Sequence, residues 1–200
     1  MVGGIGSGKS LFCSALADSG AAVIEADGVT RTIHAYPEIQ SALRLNFGDG
    51  IFHDGELDRK GLARLVFADP KRLAKLDAIL LPVLSKRIIE EIDRLSPDHA
   101  LVAIDMANLY RAGLDSVCDA VVRIRAPLVI RKTRLFQRGL SEQEIADRIR
   151  SQRRLIRGKP DWIIDNAGDA EDLARKARRI YERMVASIRT GRHLQERMNK

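Results

Sequence analysis

The sequence predicts an α/β fold: a parallel sheet flanked by helices, with a helical insertion and a small helical lid. Three observations carry this. Residues 21–24, 101–104, 120–124 and 162–164 are short apolar runs that read as buried strands. Helical patterns separate them, which is the alternation expected of βαβ units and a parallel sheet. Between the first two runs lie about seventy residues with little strand character, too many for a simple crossover and therefore an inserted helical subdomain. The expected segmentation is a core of residues 1–27, 99–136 and 160–200, an insertion at 28–98 and a lid at 137–159.

The elements follow in order. Only Met1 and Val2 precede a glycine-rich run, Gly3-Gly4-Ile5-Gly6-Ser7-Gly8-Lys9-Ser10. The strand expected before such a run is therefore truncated. A start codon assigned too far downstream would explain it, and in-frame upstream DNA encoding about four or five apolar residues would support that. Residues 10–19 read as a helix with Leu11, Phe12, Ala15 and Leu16 on one face. The run 21–24 leads into Glu25-Ala26-Asp27, 101–104 into Asp105, and 162–164 into Asp165-Asn166. Ligands of parallel sheets bind at the carboxyl ends of the strands, so Asp27, Asp105 and Asp165 are expected to converge near the glycine-rich loop. Within the insertion, a turn-rich stretch at 47–55 precedes helices at 59–67 and 70–95. Ser141 and Glu144 have the spacing of a capping box. They open a basic helix expected over 141–157 as a lid. From Ala170 on, Leu173, Ala177, Ile180, Tyr181, Met184 and Ile188 lie on one face of a final helix.

Composition excludes several classes. The 200 residues are 45% apolar and 30% charged, which marks a folded chain and not a disordered one. No apolar run approaches the ~18–20 residues that span a bilayer, and Met-Val-Gly-Gly does not open a secretory signal. A cytoplasmic protein without membrane partners is expected. Cys13 and Cys118 are too far apart in sequence to read as a metal-ligand pair and are expected as reduced thiols. The net charge of +7 is concentrated: residues 125–159 hold eleven Lys/Arg against Glu142, Glu144 and Asp147. Nucleic-acid binding would call for interleaved aromatics. Phe136 is alone in that stretch, so the expected partners are small molecules, and the chain a monomer or weak homo-oligomer. The patch is then either a solvated face or a phosphate-binding lid.

The loop favours the lid. It fits G-x-x-x-x-G-K-[ST] without a mismatch. Its glycines let successive N–H groups turn inward and cradle phosphate oxygens. Gly3, Gly4, Ile5, Gly6, Ser7, Gly8, Lys9, Ser10 and the following Leu11 are the candidate ATP-binding residues. Lys9 would reach the β- and γ-phosphates, and the Ser10 hydroxyl would ligate Mg²⁺. The following helix points its positive dipole end at the phosphates.

The chain resembles the dephospho-CoA kinases, relatives of the nucleoside monophosphate kinases, along nearly its whole length. The likeness rests on Gly3 to Ser10 and on Val23-Ile24-Glu25-Ala26-Asp27 with Arg31 and Phe47-Gly48. It continues in Asp54-Gly55-Glu56-Leu57-Asp58-Arg59, Val66-Phe67, Arg138-Gly139-Leu140-Ser141, Arg148-Ile149 with Gln152, and Asp161-Trp162-Ile163-Ile164-Asp165-Asn166. The resemblance implies a P-loop NTPase sheet and ATP-dependent phosphorylation of the ribose 3′-hydroxyl of dephospho-CoA, the last step of coenzyme A biosynthesis. It implies that Asp27 is the catalytic base, acting with Lys9. Arg134 and Arg138, as arginines of the lid, and Asn166 join the ATP site. It implies acceptor contacts at Arg31 and Arg59; Arg111, which stands where the family has a glutamate, is a further candidate for gripping a phosphate-bearing acceptor, and Asp105 either holds Mg²⁺ through a bound water, with Ser10, or simply ends its strand.

Four positions depart from the family pattern. Leu11 stands where threonine is usual, and Leu81-Pro82 where His-Pro is usual. Ala107-Asn108-Leu109-Tyr110-Arg111 replaces a Pro-Leu-Leu-Phe-Glu-like segment, and residues 152–161 are short and poor in acids. Most of the ATP machinery is intact, whereas three departures fall on acceptor or lid regions. A related kinase of another nucleoside or nucleotide, or a degenerate nucleotide-binding protein, are the alternatives.

Overall fold

The computed structural model describes residues 1–152 and 158–189. In chain order its elements are β1 (Val2–Gly3), α1 (Lys9–Asp18), β2 (Ala22–Glu25), α2 (Ala26–Ile33), α3 (Pro37–Phe47), β3 (Phe52–His53), β4 (Glu56–Leu57), α4 (Arg59–Phe67) and α5 (Pro70–Leu95). They continue with β5 (Val102–Asp105), β6 (Val122–Arg125), α6 (Leu128–Gln137), α7 (Glu142–Gln152), β7 (Trp162–Asp165) and α8 (Ala170–Arg189). The chain divides into two compact units. One comprises residues 1–25 and 91–200, and the other comprises 26–90.

In the first unit, β1, β6 and β7 form a parallel ladder in that order, and β2 pairs in parallel with β5. The short first strand expected from the sequence is present as two buried residues. It joins the two ladders at Met1, whose amino group donates to the Ile104 carbonyl at 2.6 Å and whose carbonyl accepts from Met106 N–H at 3.2 Å. Beyond these bonds, β5 and β6 border a cavity of about 360 Å³ lined by Met1, Leu101, Ala103, Ala120, Val122 and Met184, among others. The Asp-Trp-Ile-Ile-Asp-Asn segment is β7 with its flanks. Asp161 starts it by accepting Val121 N–H at 2.7 Å, and Trp162 to Asp165 then pair in register with Val122 to Arg125.

Helices α1 and α8 cover this sheet. Phe12, Leu16, Val122, Ile124, Leu173 and Ala177 form the centre of the core. Two residues expected on apolar faces are instead exposed: Leu11 on α1 and Ile188 on α8, at 44% and 53%. The 3.6-residue pattern gives a stripe wider than the neighbour that covers it, so its edges remain in water. The capping box forms as expected: Ser141 N–H donates to Glu144 Oε2 at 2.9 Å and Glu144 N–H to Ser141 Oγ at 3.3 Å. The lid helix expected to run to 157 is described to Gln152, and 153–157 lie outside the described residues.

The second unit is mainly helical. Helices α4 and α5, the latter continuing into the first unit, begin and end as expected, over 59–67 and 70–95. Asp58 fixes the start of α4 by accepting Lys60 and Gly61 N–H at 3.1 and 2.9 Å. The turn-rich stretch also contains a small hairpin, β3 against β4. Asp54 and Gly55, with φ of 51° and 84°, make the two-residue turn that matches the twist of its strands.

Candidate active site

The glycine-rich loop leaves β1 and enters α1. Gly8 sits at the helix start with φ of 94°. Beneath it lies the Asn166 side chain, against which a Cβ at position 8 would collide. Only glycine satisfies both the left-handed backbone and this close approach. Asn166 is 1% exposed. Its Nδ2 donates to the Ser7 carbonyl at 2.8 Å, and its Oδ1 accepts from Arg134 Nη2 at 3.3 Å. One buried amide thus supports the loop from below and holds an arginine beside it. Arg134 also donates to the Gly168 carbonyl at 3.1 Å and approaches the Gly6 carbonyl at 3.5 Å.

Lys9, at the start of α1, is ion-paired with Asp105, the buried last residue of β5. The pair forms because both β1 and β5 point their carboxyl ends toward the start of α1. The next residue, Ser10, is exposed in the first turn. The leading N–H groups of α1 have no acceptors within the helix and complete an anion-binding terminus.

Of the three acids expected to converge, Asp105 meets the loop lysine. Asp165 turns to the exposed sheet edge, where Arg125 Nε and Nη2 bind its two oxygens at 2.7 and 2.9 Å. This bidentate pair holds the Asp165 carboxyl below the usual carboxylate range. A strand's last residues alternate in direction, so the neighbouring Asn166 points inward and Asp165 does not. Asp27 belongs to the second unit. It is an exposed residue in the first turn of α2, two positions beyond the last residue of β2. Arg31 is exposed one turn further along α2, and Arg59 is the exposed first residue of α4. His34 lies near Arg59; burial, aided by that positive charge, pushes its imidazole below the usual histidine range.

Arg134 and Arg138 were expected on the lid. Arg134 stands within α6 and Arg138 at its C-terminal end, before the capping box, and Arg138 is exposed. Arg111 lies in the turn after β5, where burial lowers its pKa. Two loop contacts were not assigned from sequence. Arg131 Nε donates to the Ile5 carbonyl at 2.8 Å, and Gln152 Oε1 accepts Ile5 N–H at 2.5 Å. The 131/134/138 spacing, one stripe on a helix, was the available signal for Arg131. Among the described residues the basic run divides: Arg131 and Arg134 face the loop, Arg125 pairs with Asp165, and Arg150 pairs with Asp147 at 3.5 Å.

Among the described residues, no helix is long and apolar enough to cross a membrane. A family model described as dephospho-CoA kinase matches residues 1–172. The chain is 36% identical over 198 residues to the dephospho-CoA kinase of Anaeromyxobacter dehalogenans, covering 96% of this chain and 92% of that one. It is 32% identical over 187 residues to that of Latilactobacillus sakei, covering 91% and 93%. A crystal structure from Thermus thermophilus superposes with a TM-score of 0.75 at 33% identity, over 90% of this chain and 94% of the other. The dephospho-CoA kinase from Campylobacter jejuni shares the fold, with a TM-score of 0.64 at 22% identity over 94% and 96%. With a complete phosphate-binding loop set at the carboxyl ends of a parallel sheet, the chain belongs to the dephospho-CoA kinase family.

Proposed function

We propose that this kinase transfers the γ-phosphate of ATP to the ribose 3′-hydroxyl of dephospho-CoA, giving ADP and coenzyme A. The observation that carries the reading is the loop assembly: Gly8 over Asn166, Arg134 held beside it, and Lys9 at the helix start. Phosphoryl transfer demands little covalent chemistry of a protein; positioning and charge neutralisation supply most of the catalysis. Gly3 to Ser10 hold the phosphates through N–H groups, and Lys9 leaves Asp105 to bind the β- and γ-oxygens. Arg134 and Arg138 offset the charge that moves toward the β–γ bridging oxygen as its bond to phosphorus breaks. The new bond forms from the acceptor oxygen, whose proton passes to the Asp27 carboxylate.

The donor set suits Mg²⁺. Among the described residues, no group of three or more His, Cys, Asp or Glu could hold a metal alone. Mg²⁺ asks for less from a protein: one or two hard oxygen ligands, with the rest drawn from phosphate and water. The Ser10 hydroxyl and Asp105 carboxylate are such ligands. The ion would neutralise phosphate charge when bound. Arg31, Arg59 and Arg111 are the proposed contacts to the anionic acceptor, and residues 137–159 the lid over the donor.

The test is to incubate the protein with ATP and Mg²⁺ and with dephospho-CoA, AMP, CMP or adenosine, following ADP release. Release dependent on dephospho-CoA is expected. Release with AMP or CMP instead would reassign the acceptor, and release with none would remove the kinase reading.

A further inference from the structure

Arg131 is a half-buried cation pressed against the leading half of the loop. Its helix, α6, starts after Pro127, whose carbonyl accepts Arg131 N–H at 3.0 Å. From there the backbone carbonyl of Arg131 lies close under Gly6, where a Cβ would come within 2.9 Å of it. The guanidinium lies against Gly4: a Cβ there would stand 2.5 Å from Nη2 and 2.8 Å from Cζ. Nε donates to the Ile5 carbonyl at 2.8 Å, while the N–H of the same Ile5 is taken by Gln152.

The Nε bond is the side-chain hydrogen bond Arg131 makes among the described residues, and no carboxylate pairs with it there. Arg125, by contrast, has both oxygens of Asp165. Lys9 has Asp105. Burial lowers the Arg131 pKa, and no acid opposes that effect. Half-burying an unpaired charge is costly, so a protein that does so beside an anion-binding loop gains when an anion arrives. Neutral glutamine would serve the Ile5 carbonyl without this cost. The surplus charge needs its own reason.

We propose that Arg131 is a phosphate-binding residue of the ATP site, anchored to the loop through Nε and presenting its two Nη groups to the nucleotide. This rests on the kinase reading above and adds a third arginine to Arg134 and Arg138. Its place at Gly4 and Ile5, the end of the loop remote from α1, assigns it to the terminal phosphate more than to the inner two. Those face the α1 terminus.

The experiment compares Arg131→Gln and Arg131→Lys with the wild type, by calorimetric titration with Mg-ATP and Mg-ADP and by thermal melting. Glutamine keeps a donor at the Nε position and loses the charge; lysine keeps the charge and has a methylene at the Nε position. Expected is at least a tenfold loss of ATP affinity for Arg131→Gln, a smaller loss for Arg131→Lys, a weaker effect on ADP than on ATP, and unchanged melting. Wild-type-like ATP binding by Arg131→Gln would overturn the proposal. So would a greater loss in Arg131→Lys than in Arg131→Gln, or equal losses for ATP and ADP, since each marks a strut for the loop. A wild type that binds no ATP would sink the kinase reading instead, which keeps the two failures apart.

Discussion

Lys9, the first residue of α1, is ion-paired with Asp105, the last residue of β5. In the proposed reaction, phosphate binding would begin with an exchange of partners, in which Lys9 gives up a carboxylate and Asp105 becomes available to a cation. Replacing Asp105 by Asn removes the carboxylate that pairs with Lys9 and with it the proposed metal ligand. The expected result is ATP affinity without Mg²⁺ that rises, and Mg²⁺-supported turnover that falls at least about tenfold. Titration with and without Mg²⁺, together with steady-state rates, checks both; no change in either would leave Asp105 as a strand end only.

Asp27→Asn keeps the shape of the first turn of α2 and removes the proposed proton acceptor. Turnover should fall by at least ~10²-fold with little change in ATP affinity, the pattern of a group that acts on the reacting centre. Near-normal turnover would take Asp27 out of the catalytic role.

Asn166→Ala strips the buried donor from the Ser7 carbonyl and the acceptor from Arg134. A loss of about 1–3 kcal/mol follows, since a buried partner is left unsatisfied. The melting temperature should fall by roughly 2–4 °C per kcal/mol. Gly8→Ala should be worse, because it combines a φ of 94° with collision against the Asn166 amide. The double variant relieves the collision and not the backbone strain. Its destabilisation should therefore be less than the sum of the two single ones, measured by a double-mutant cycle; strict additivity would disprove the contact.

His34 supplies a pH dependence in the second unit. Burial and the nearby Arg59 hold its folded pKa below the ordinary value, near 6.5 in an unfolded chain. Between those two values the unfolded state binds the proton and the folded state does not. Stability is thus full above about pH 6.5 and falls as the pH drops toward the lowered folded value. Denaturant melts from pH 7.5 to 5 should show this slope, and His34→Gln should flatten it. An equal slope in that variant would assign the effect to other groups.

Much of the fold was legible in the sequence because its signals are local. The starts of α4 and α5 coincide with a cap at Asp58 and a proline at position 70, signals carried by neighbouring residues. The glycine-rich loop was legible because a left-handed backbone and close phosphate approach leave few residue choices. The small hairpin at 52–57 was not assigned, since two-residue strands carry almost no period of their own. Asp165 was misplaced for a related reason: a strand end gives position along the sheet, and one residue of register decides whether a side chain faces the ligand or the solvent.

Sequence alone determined that a phosphate-binding loop sits on a parallel α/β sheet whose first strand is short, because such a motif is written in residues next to one another. The tertiary structure decided the partners: that Lys9 rests on Asp105, that Asn166 carries Gly8 and Arg134, and that Arg131 lies on Gly4 and Ile5. Those pairings join residues from 32 to 158 positions apart. Distance along a chain holds no record of such contacts; the packing of α6 and β7 against the loop brings them into being.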